Sequence, residues 1–240
     1  MGLYLTEGFR ALKERVQSIN FRKEYTPKQL GDGHPVLVIP GFMTNDTSCK
    51  PLRDFITRIG YVAYPWGLGR NYATVEDLEV LQATMDTIYQ KHGEKMTLIG
   101  WSLGGVYARE LAKVKPTLVR QVITLGSPFG GLQAPNNASW IYNLIKGKKA
   151  QELDQAWLDS IPSPAPVPTT ALYSKKDGIV SYQVCQELKE TATHRNVEIQ
   201  GSHLGMGFNK EVFAIIADQL PQYAQAPATA AKKRELQAKN

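Results

Sequence analysis

Short apolar runs alternate with longer segments of helical periodicity between residue 34 and about residue 220. Apolar runs of about four to eight residues predict buried strands, and apolar residues spaced three and four apart predict amphipathic helices. The predicted strands cover residues 36–39, 61–64, 96–99, 119–125, 169–173 and 196–199. The predicted helices, between the strands and after the last one, cover about residues 47–59, 75–92, 103–115, 180–191 and 209–219. This alternation is typical of βαβ units and predicts an α/β protein, with a mostly parallel sheet of about six strands and helices on both faces.

The segment before the first strand, residues 4–20, predicts a separate amphipathic helix. Its apolar side chains recur in steps of four and three residues, which places them on one helix face: Leu5, Phe9, Leu12, Val16 and Ile19. The simpler interpretation is that the helix packs on its own domain. The alternative is peripheral contact of residues 4–20 with a membrane surface.

The connection between the fourth and fifth predicted strands is much longer than the others, and about residues 131–168 are interpreted as a short helical cap. Apolar stripes around Trp140 and Trp157 predict its helices, and a proline-rich segment leads back into the sheet. The expected organisation has three parts: an N-terminal helix and lead-in at 1–33, a main domain at 34–223 and a disordered basic tail at 224–240.

The composition agrees with one globular domain. The 240 residues are 42% hydrophobic and 21% charged, and a chain of this length buries enough surface to fold without metal or disulfide support. Cys49 and Cys185 are too few for a disulfide scaffold, and no spacing of cysteine and histidine fits zinc. We therefore expect neither a metal nor a cofactor.

The net charge of +6 lies largely at the two ends of the chain, and no segment interleaves basic and aromatic residues. This distribution predicts no nucleic-acid binding. No run of 18 or more apolar residues occurs, and charged side chains interrupt the first twenty residues, where a signal peptide has its apolar core. We expect a cytoplasmic protein, and the oligomeric state is left open.

A serine in a glycine-flanked turn is the first feature that indicates chemistry. Residues 100–104 read Gly-Trp-Ser-Leu-Gly and connect a predicted strand to a predicted helix. A Gly-x-Ser-x-Gly turn in this position lifts the serine hydroxyl above the edge of the sheet, and its glycines leave room for the close backbone. Ser102 is therefore the candidate nucleophile.

A serine nucleophile needs a base, and the base needs an acid that orients it. His203 follows the last predicted strand and Asp177 follows the strand before it, so both are expected at the same carboxyl edge as Ser102. Two competing acids, Asp154 and Asp159, fall in the predicted cap. The remaining histidines are interpreted as surface or capping residues: His34, His92 and His194.

Two backbone amides are needed to hold the oxyanion that develops when a serine attacks a carbonyl. The amide of Leu103, directly after the serine, is the first candidate. The second is expected from the loop after the first strand, where Gly41 allows the Phe42 amide to turn inward.

Together these pieces resemble the α/β-hydrolases of the serine esterase and lipase type. The resemblance rests on the order serine, acid, histidine and on the turn Pro40-Gly41-Phe42; residues 126–129 and 66–71 also resemble stretches of small bacterial lipase-like and GPI inositol-deacylase-like hydrolases. It covers about residues 34–220 and implies the α/β-hydrolase fold and a serine hydrolase reaction. Many lipases carry His-Gly where this chain has Pro40-Gly41, which favours an esterase over a true lipase.

Apolar side chains near the expected nucleophile favour a small-molecule or lipid ester as substrate. The candidate substrate-binding residues are Met43, Trp66, Trp101, Trp140 and Trp157. The leading hypothesis is hydrolysis of carboxylic esters through an acyl-enzyme on Ser102. An acyltransferase with the same three residues, a thioesterase or protease, and a non-catalytic binding protein of the same fold remain open as alternatives.

Overall fold

The computed structural model describes residues 2–74, 76–130 and 159–223, and one parallel sheet forms its centre. The strands are β1 (Pro35–Ile39), β2 (Val62–Pro65), β3 (Met96–Trp101), β4 (Val119–Leu125), β5 (Thr169–Tyr173) and β6 (His194–Glu198). Their order across the sheet is β2-β1-β3-β4-β5-β6. The prediction of an α/β protein with about six parallel strands is confirmed, and β6 begins two residues earlier than predicted.

The helices of the described part lie before, between and after these strands. They are α1 (Gly2–Glu24), α2 (Asp46–Arg58), α3 (Glu76–His92), α4 (Leu103–Val114) and α5 (Lys210–Gln219). The helix predictions for these five segments are confirmed to within a few residues. In the described residues, no helix has both the length and the apolar character needed to cross a bilayer.

Alternation along β1 explains why helices cover both faces of the sheet. Val36 and Val38 pack in one core with α2 and α5, whereas Leu37 and Ile39 pack in a second core with α3 and α4. Successive side chains of a strand point to opposite faces, so a strand that is apolar at every position needs a layer on each side. The carboxyl ends of the strands are thereby held in one rigid edge.

Helix α1 packs with the opposite face from the one expected. Its buried residues are Glu7, Ala11 and Ser18, while the apolar stripe is exposed, with Leu5 at 78% and Phe9 at 76% exposure. The simpler interpretation, a helix packed on its own domain, is therefore confirmed, but the contact is not made through the apolar stripe. The physical reason is that backbone amides of two loops satisfy the buried carboxylate of α1, as described below.

The helix predicted at residues 180–191 is not formed. The chain makes only a short 3₁₀ turn at Tyr182–Cys185. Its backbone is bound from outside instead: the Val184 carbonyl accepts a hydrogen bond from Gly130, and Asn196 of β6 both donates to and accepts from the backbone of Glu187. Long-range partners have replaced the hydrogen bonds of a helix.

Two predicted regions lie wholly or largely outside the described residues. These are most of the cap, including Trp140 and Trp157, and the basic tail. The division of the chain into N-terminal lead-in, main domain and tail stays a prediction.

Candidate active site

Ser102 lies in a strained turn between β3 and α4. Its backbone has φ 53° and ψ −123°, a conformation that residues with a Cβ rarely adopt. This geometry directs the side chain away from both the strand and the helix. The structure therefore has a tight turn between β3 and α4 at this position, and the role of Ser102 as nucleophile stays a prediction.

The glycines around Ser102 permit a very close approach of backbone. A Cβ at Gly100 would lie 2.2 Å from the Gly104 carbonyl oxygen, and a Cβ at Gly104 would lie 2.3 Å from the Ile39 carbonyl oxygen. No carbon atom fits at those distances. The turn can therefore pack against the end of β1 only because both positions are glycine.

Three side chains from three loops form one hydrogen-bonded chain. His203 Nε2 lies 3.0 Å from Ser102 Oγ, and His203 Nδ1 lies 2.6 Å from Asp177 Oδ2. All three loops follow the carboxyl ends of strands, namely β3, β5 and β6. The side chains of His203 and Asp177 are 5% and 1% exposed, so water is largely excluded from the bond between them.

The Asp177 carboxylate is held by its own loop. Its Oδ1 accepts hydrogen bonds from the amides of Ile179 and Val180 at 2.8 and 2.7 Å. The hydroxyl of Ser174 at the start of this loop donates to the Gly201 carbonyl of the histidine loop at 2.7 Å. These bonds orient the carboxylate and join the two loops.

The loop after β1 lies directly against the serine. A Cβ at Gly41 would be 3.2 Å from the Ser102 Cβ, which places Phe42 beside Ser102. The neighbouring amide of Met43 donates to the Asn71 carbonyl, and that of Thr44 donates to the Gly41 carbonyl. Among the backbone hydrogen bonds of loops and turns in the described residues, none is donated by the Phe42 amide. The amide of Leu103 is the first of α4, where a helix has no internal acceptor for it.

Comparison with known proteins identifies the architecture. No family model matches the sequence, and no curated protein matches it. The solved monoacylglycerol lipase of Paleococcus ferrophilus is similar, with TM-score 0.57 and 14% identity over 84% of this chain and 100% of the lipase. Lipase B of Aspergillus fumigatus has TM-score 0.58 and 20% identity over 89% of this chain and 59% of that one. Another match is MGS-MChE2, an alpha/beta hydrolase from a lagoon-sediment metagenome, with TM-score 0.50 and 18% identity over 79% of this chain and 91% of that one.

This protein has the α/β-hydrolase fold. The identities are low, so the likeness concerns the arrangement of strands and helices. In this α/β-hydrolase fold, the hydrogen-bonded chain of Ser102, His203 and Asp177 lies at the edge of the sheet where such folds form their ligand crevices.

The residues predicted to touch substrate have different positions in the α/β-hydrolase structure. Met43 is exposed beside the serine loop and has φ 56°. Trp66 is 1% exposed in the core with α3, and its indole donates to the Gly69 carbonyl. Trp101 is also buried, and its indole donates to the His203 carbonyl at 3.1 Å. The two tryptophans thus have packing roles, and their contact with substrate stays a prediction.

Helix α1 contacts two of the loops at this edge of the α/β-hydrolase fold, which the sequence did not indicate. The buried Glu7 accepts a hydrogen bond from Gly178, directly after the acid, and another from Leu204, directly after the histidine. No motif or spacing marks this residue, because its partners are 171 and 197 residues away in sequence.

The other acids and histidines weighed for a catalytic role are exposed, lie at the opposite edge of the sheet or lie outside the described residues. Asp159 is exposed, and Asp154 lies outside the described residues. His34 is fully buried at the amino end of β1, so its interpretation as a surface or capping residue is wrong. Its ring bonds Asp32 and Thr97, which satisfy the polar atoms that burial would otherwise leave unpaired.

The titratable groups give no sign of a metal site in the described part of the chain. No group of three or more histidine, cysteine, aspartate or glutamate side chains there could hold a metal ion. Both cysteines are free and buried, and burial raises the pKa of the Cys49 thiol to about 12.

Proposed function

We propose that the protein is a serine hydrolase that cleaves carboxylic esters through an acyl-enzyme on Ser102. The observation that carries the proposal is the continuous chain of hydrogen bonds from the serine hydroxyl through His203 to the Asp177 carboxylate. A serine hydroxyl becomes a nucleophile when an oriented imidazole can take its proton. Solved structures with this fold include the naproxen esterase of Bacillus subtilis, at 15% identity and TM-score 0.52, which supports the same reaction class.

The first half-reaction forms the acyl-enzyme. His203 Nε2 takes the proton of Ser102 while Oγ forms a bond to the ester carbonyl carbon, and the amides of Phe42 and Leu103 donate to the resulting oxyanion. The C–O bond to the alcohol then breaks, and the imidazolium gives its proton to the leaving alcohol. Asp177 orients the ring and stabilises its charged form.

The second half-reaction returns the free enzyme. A water molecule gives a proton to His203 and attacks the acyl carbonyl, and the carboxylic acid leaves as Ser102 recovers its proton. No cofactor is needed, because the electrons and protons balance within ester, water and the three side chains.

The proposed substrate is a small-molecule or lipid ester with an apolar acyl group. Met43 supports this because it is 51% exposed on the loop that carries the Phe42 amide, where an acyl chain could cover it. The contacts of Trp140 and Trp157 belong to the same proposal, since they lie in the proposed cap.

The test of this function is hydrolysis of p-nitrophenyl esters of increasing chain length by the wild-type protein and by Ser102→Ala. We expect turnover by the wild type and a loss of at least about 10⁴-fold in kcat for the variant, because the nucleophile is removed while binding remains. Undiminished turnover by Ser102→Ala would contradict the mechanism. Product that appears only when an alcohol, amine or thiol acceptor is added would instead identify an acyltransferase.

We also propose that the exposed stripe of α1 contacts a membrane surface with anionic headgroups. The stripe is apolar over five side chains, a patch that a helix on a protein surface does not need for folding. Glu7 is buried and Glu14 half-buried, so the fully exposed charges of α1 are Lys13, Arg15, Lys23 and Glu24, a net positive set. An apolar stripe beside positive charge matches an anionic lipid surface better than a second copy of the same positive helix.

Co-sedimentation with vesicles tests this contact. Wild-type protein is expected to bind vesicles of mixed phosphatidylserine and phosphatidylcholine, to bind less at high salt, and to lose binding in Leu12→Asp. Leu188→Asp is the matched control, because Leu188 is equally apolar and 80% exposed but lies outside α1. Equal binding by both variants would contradict the proposal, and a concentration-dependent dimer that Leu12→Asp abolishes would assign the stripe to a second copy.

A further inference from the structure

The buried face of α1 is bound to both loops that carry the proposed base and acid. Glu7 is 3% exposed; its Oε1 accepts from the Gly178 amide at 2.8 Å, and its Oε2 accepts from the Leu204 amide at 3.0 Å. Gly178 directly follows Asp177, and Leu204 directly follows His203. One carboxylate therefore bridges the two loops whose distance sets the acid–base contact.

A second carboxylate of the same helix holds the histidine loop from its other side. Glu14 Oε1 accepts from the Ser202 amide at 2.8 Å, and Oε2 accepts from Asn209 Nδ2 at 3.1 Å. Ser202 directly precedes His203. A Cβ at Gly205 would lie 2.0 Å from Glu14 Oε2, so the carboxylate reaches this loop only because that position is glycine.

The Glu7 carboxylate is itself oriented by Arg10. Arg10 Nη2 donates to Glu7 Oε1 at 2.7 Å, and Arg10 Nη1 donates to the Lys176 carbonyl in the acid loop at 2.6 Å. Hydrogen bonds in which the acceptor is ionised are shorter and stronger than neutral ones. Three donors on one buried carboxylate leave it little freedom, so it can transmit the position of α1 to both loops.

We propose that Glu7 is a positioning residue, which fixes the His203 loop relative to the Asp177 loop and makes α1 an integral part of the active site. The proposal rests on the proposed function, because it assigns Glu7 an effect on the reaction of Ser102. As a positioning residue, Glu7 touches neither substrate nor reacting atoms. It acts through the backbone on either side of the acid–base pair.

The test begins with Glu7→Gln, which keeps the volume but replaces one carboxylate oxygen by an NH₂ group. Since an NH₂ group cannot accept, one of the two loop amides loses its partner. We expect kcat to fall by about tenfold to a hundredfold with little change in KM, as for a small misplacement of a catalytic group. Glu24→Gln, at the exposed end of the same helix, is the matched control and should keep the wild-type kcat.

A second readout does not depend on turnover. The proton in the 2.6 Å hydrogen bond between His203 and Asp177 should give a low-field NMR resonance in the wild type, absent in Asp177→Asn. Glu7→Gln should shift or broaden this resonance, whereas Glu24→Gln should leave it in place. If the wild type shows the resonance but hydrolyses no ester, the proposed function fails while the positioning of His203 by Glu7 can still be measured.

Two results would overturn the proposal. One is a Glu7→Gln protein whose kcat and NMR resonance both equal those of the wild type, and the other is a Glu7→Gln protein in which only KM changes. If Glu7→Gln does not fold, Glu14→Gln replaces it, because that variant removes one acceptor next to His203 and leaves Glu7 intact. A lower kcat with a shifted resonance in a folded Glu14→Gln protein supports a positioning role for α1, and wild-type values for both contradict it.

Discussion

The two oxygens of the Asp177 carboxylate have separate partners. Oδ1 binds the amides of Ile179 and Val180 and so shapes the acid loop, while Oδ2 binds His203 Nδ1. A substitution that keeps the first oxygen and changes the second group can therefore separate the structural role from the proposed role in catalysis.

Asp177→Asn makes that separation. The amide oxygen can keep the two loop bonds, but the NH₂ group would face His203 Nδ1 and favour the ring tautomer that carries its proton on Nε2, toward Ser102. We expect kcat to fall by about 10⁴-fold, since the ring can then no longer take the serine proton. The measurement is ester hydrolysis together with thermal unfolding, which should stay close to the wild type; an unchanged kcat would assign the acid role to another residue.

At the scale of elements, the strands and the three site loops were predictable because the signal is local. Apolar runs that need burial on both faces have few alternatives to a central strand, and Ser102 and Asp177 each follow a buried strand, whereas His203 follows the half-buried edge strand β6. The face on which α1 packs was not predictable. Its periodicity marks the apolar stripe, but the packing is decided by loop amides far away in sequence that bind Glu7.

The segment at 180–191 was also mispredicted, as a helix, because its structure is decided by contacts with residues far away in sequence. A buried ion pair joins it to α4: Arg109 and Glu187 are in direct contact, Arg109 also donates to the Ser163 carbonyl at 3.0 Å, and its guanidinium lies 3.8 Å from the centre of the Phe129 ring. A buried charge needs a partner at one place in the fold. This long-range requirement overrides the local helical pattern.

Glu187→Gln should therefore destabilise the fold. It leaves the guanidinium of the fully buried Arg109 without its counter-charge, at an expected cost of about 3–5 kcal/mol in the free energy of unfolding. Glu198→Gln is the control, because Glu198 pairs with the exposed Lys175, and solvent screening should make the loss of that pair far smaller than the loss of the buried one. Urea unfolding of both variants measures the difference, and equal losses would contradict the assignment of the buried pair.

At the scale of the whole molecule, the two edges of the sheet have different polar clusters. The carboxyl edge carries the serine chain, and the amino edge carries Asp32, His34 and Arg120. Burial lowers the pKa of His34 to about 4, with a further lowering from Arg120. For Asp32, burial raises the pKa, but hydrogen bonds from Arg120 and His34 outweigh it and bring the pKa to about 2.

These shifts predict a loss of stability in acid. An unfolded histidine with its ordinary pKa of about 6.5 takes up a proton between pH 6.5 and 4, whereas folded His34 stays neutral there, so protons favour the unfolded chain. The contribution is on the order of 3 kcal/mol, at about 1.4 kcal/mol per pKa unit. Asp32 adds a loss of the same sign between about pH 4 and 2.

Urea unfolding of the wild type and His34→Gln at a series of pH values tests this cluster. The wild type should lose stability as the pH falls from 6.5 to 4, and the variant should lose less over the same interval. Parallel curves for the two proteins would contradict the assignment to His34.

The role of Ser102 as nucleophile can be tested by reacting the folded protein with a small fluorophosphonate and locating the modified residue by mass spectrometry of its peptides. We expect one adduct, on Ser102, that forms rapidly in the wild type, slowly in Asp177→Asn and not at all in Ser102→Ala. A folded wild-type protein that stays unlabelled at Ser102, or an adduct that persists in Ser102→Ala, would contradict a serine hydrolase built on Ser102, His203 and Asp177.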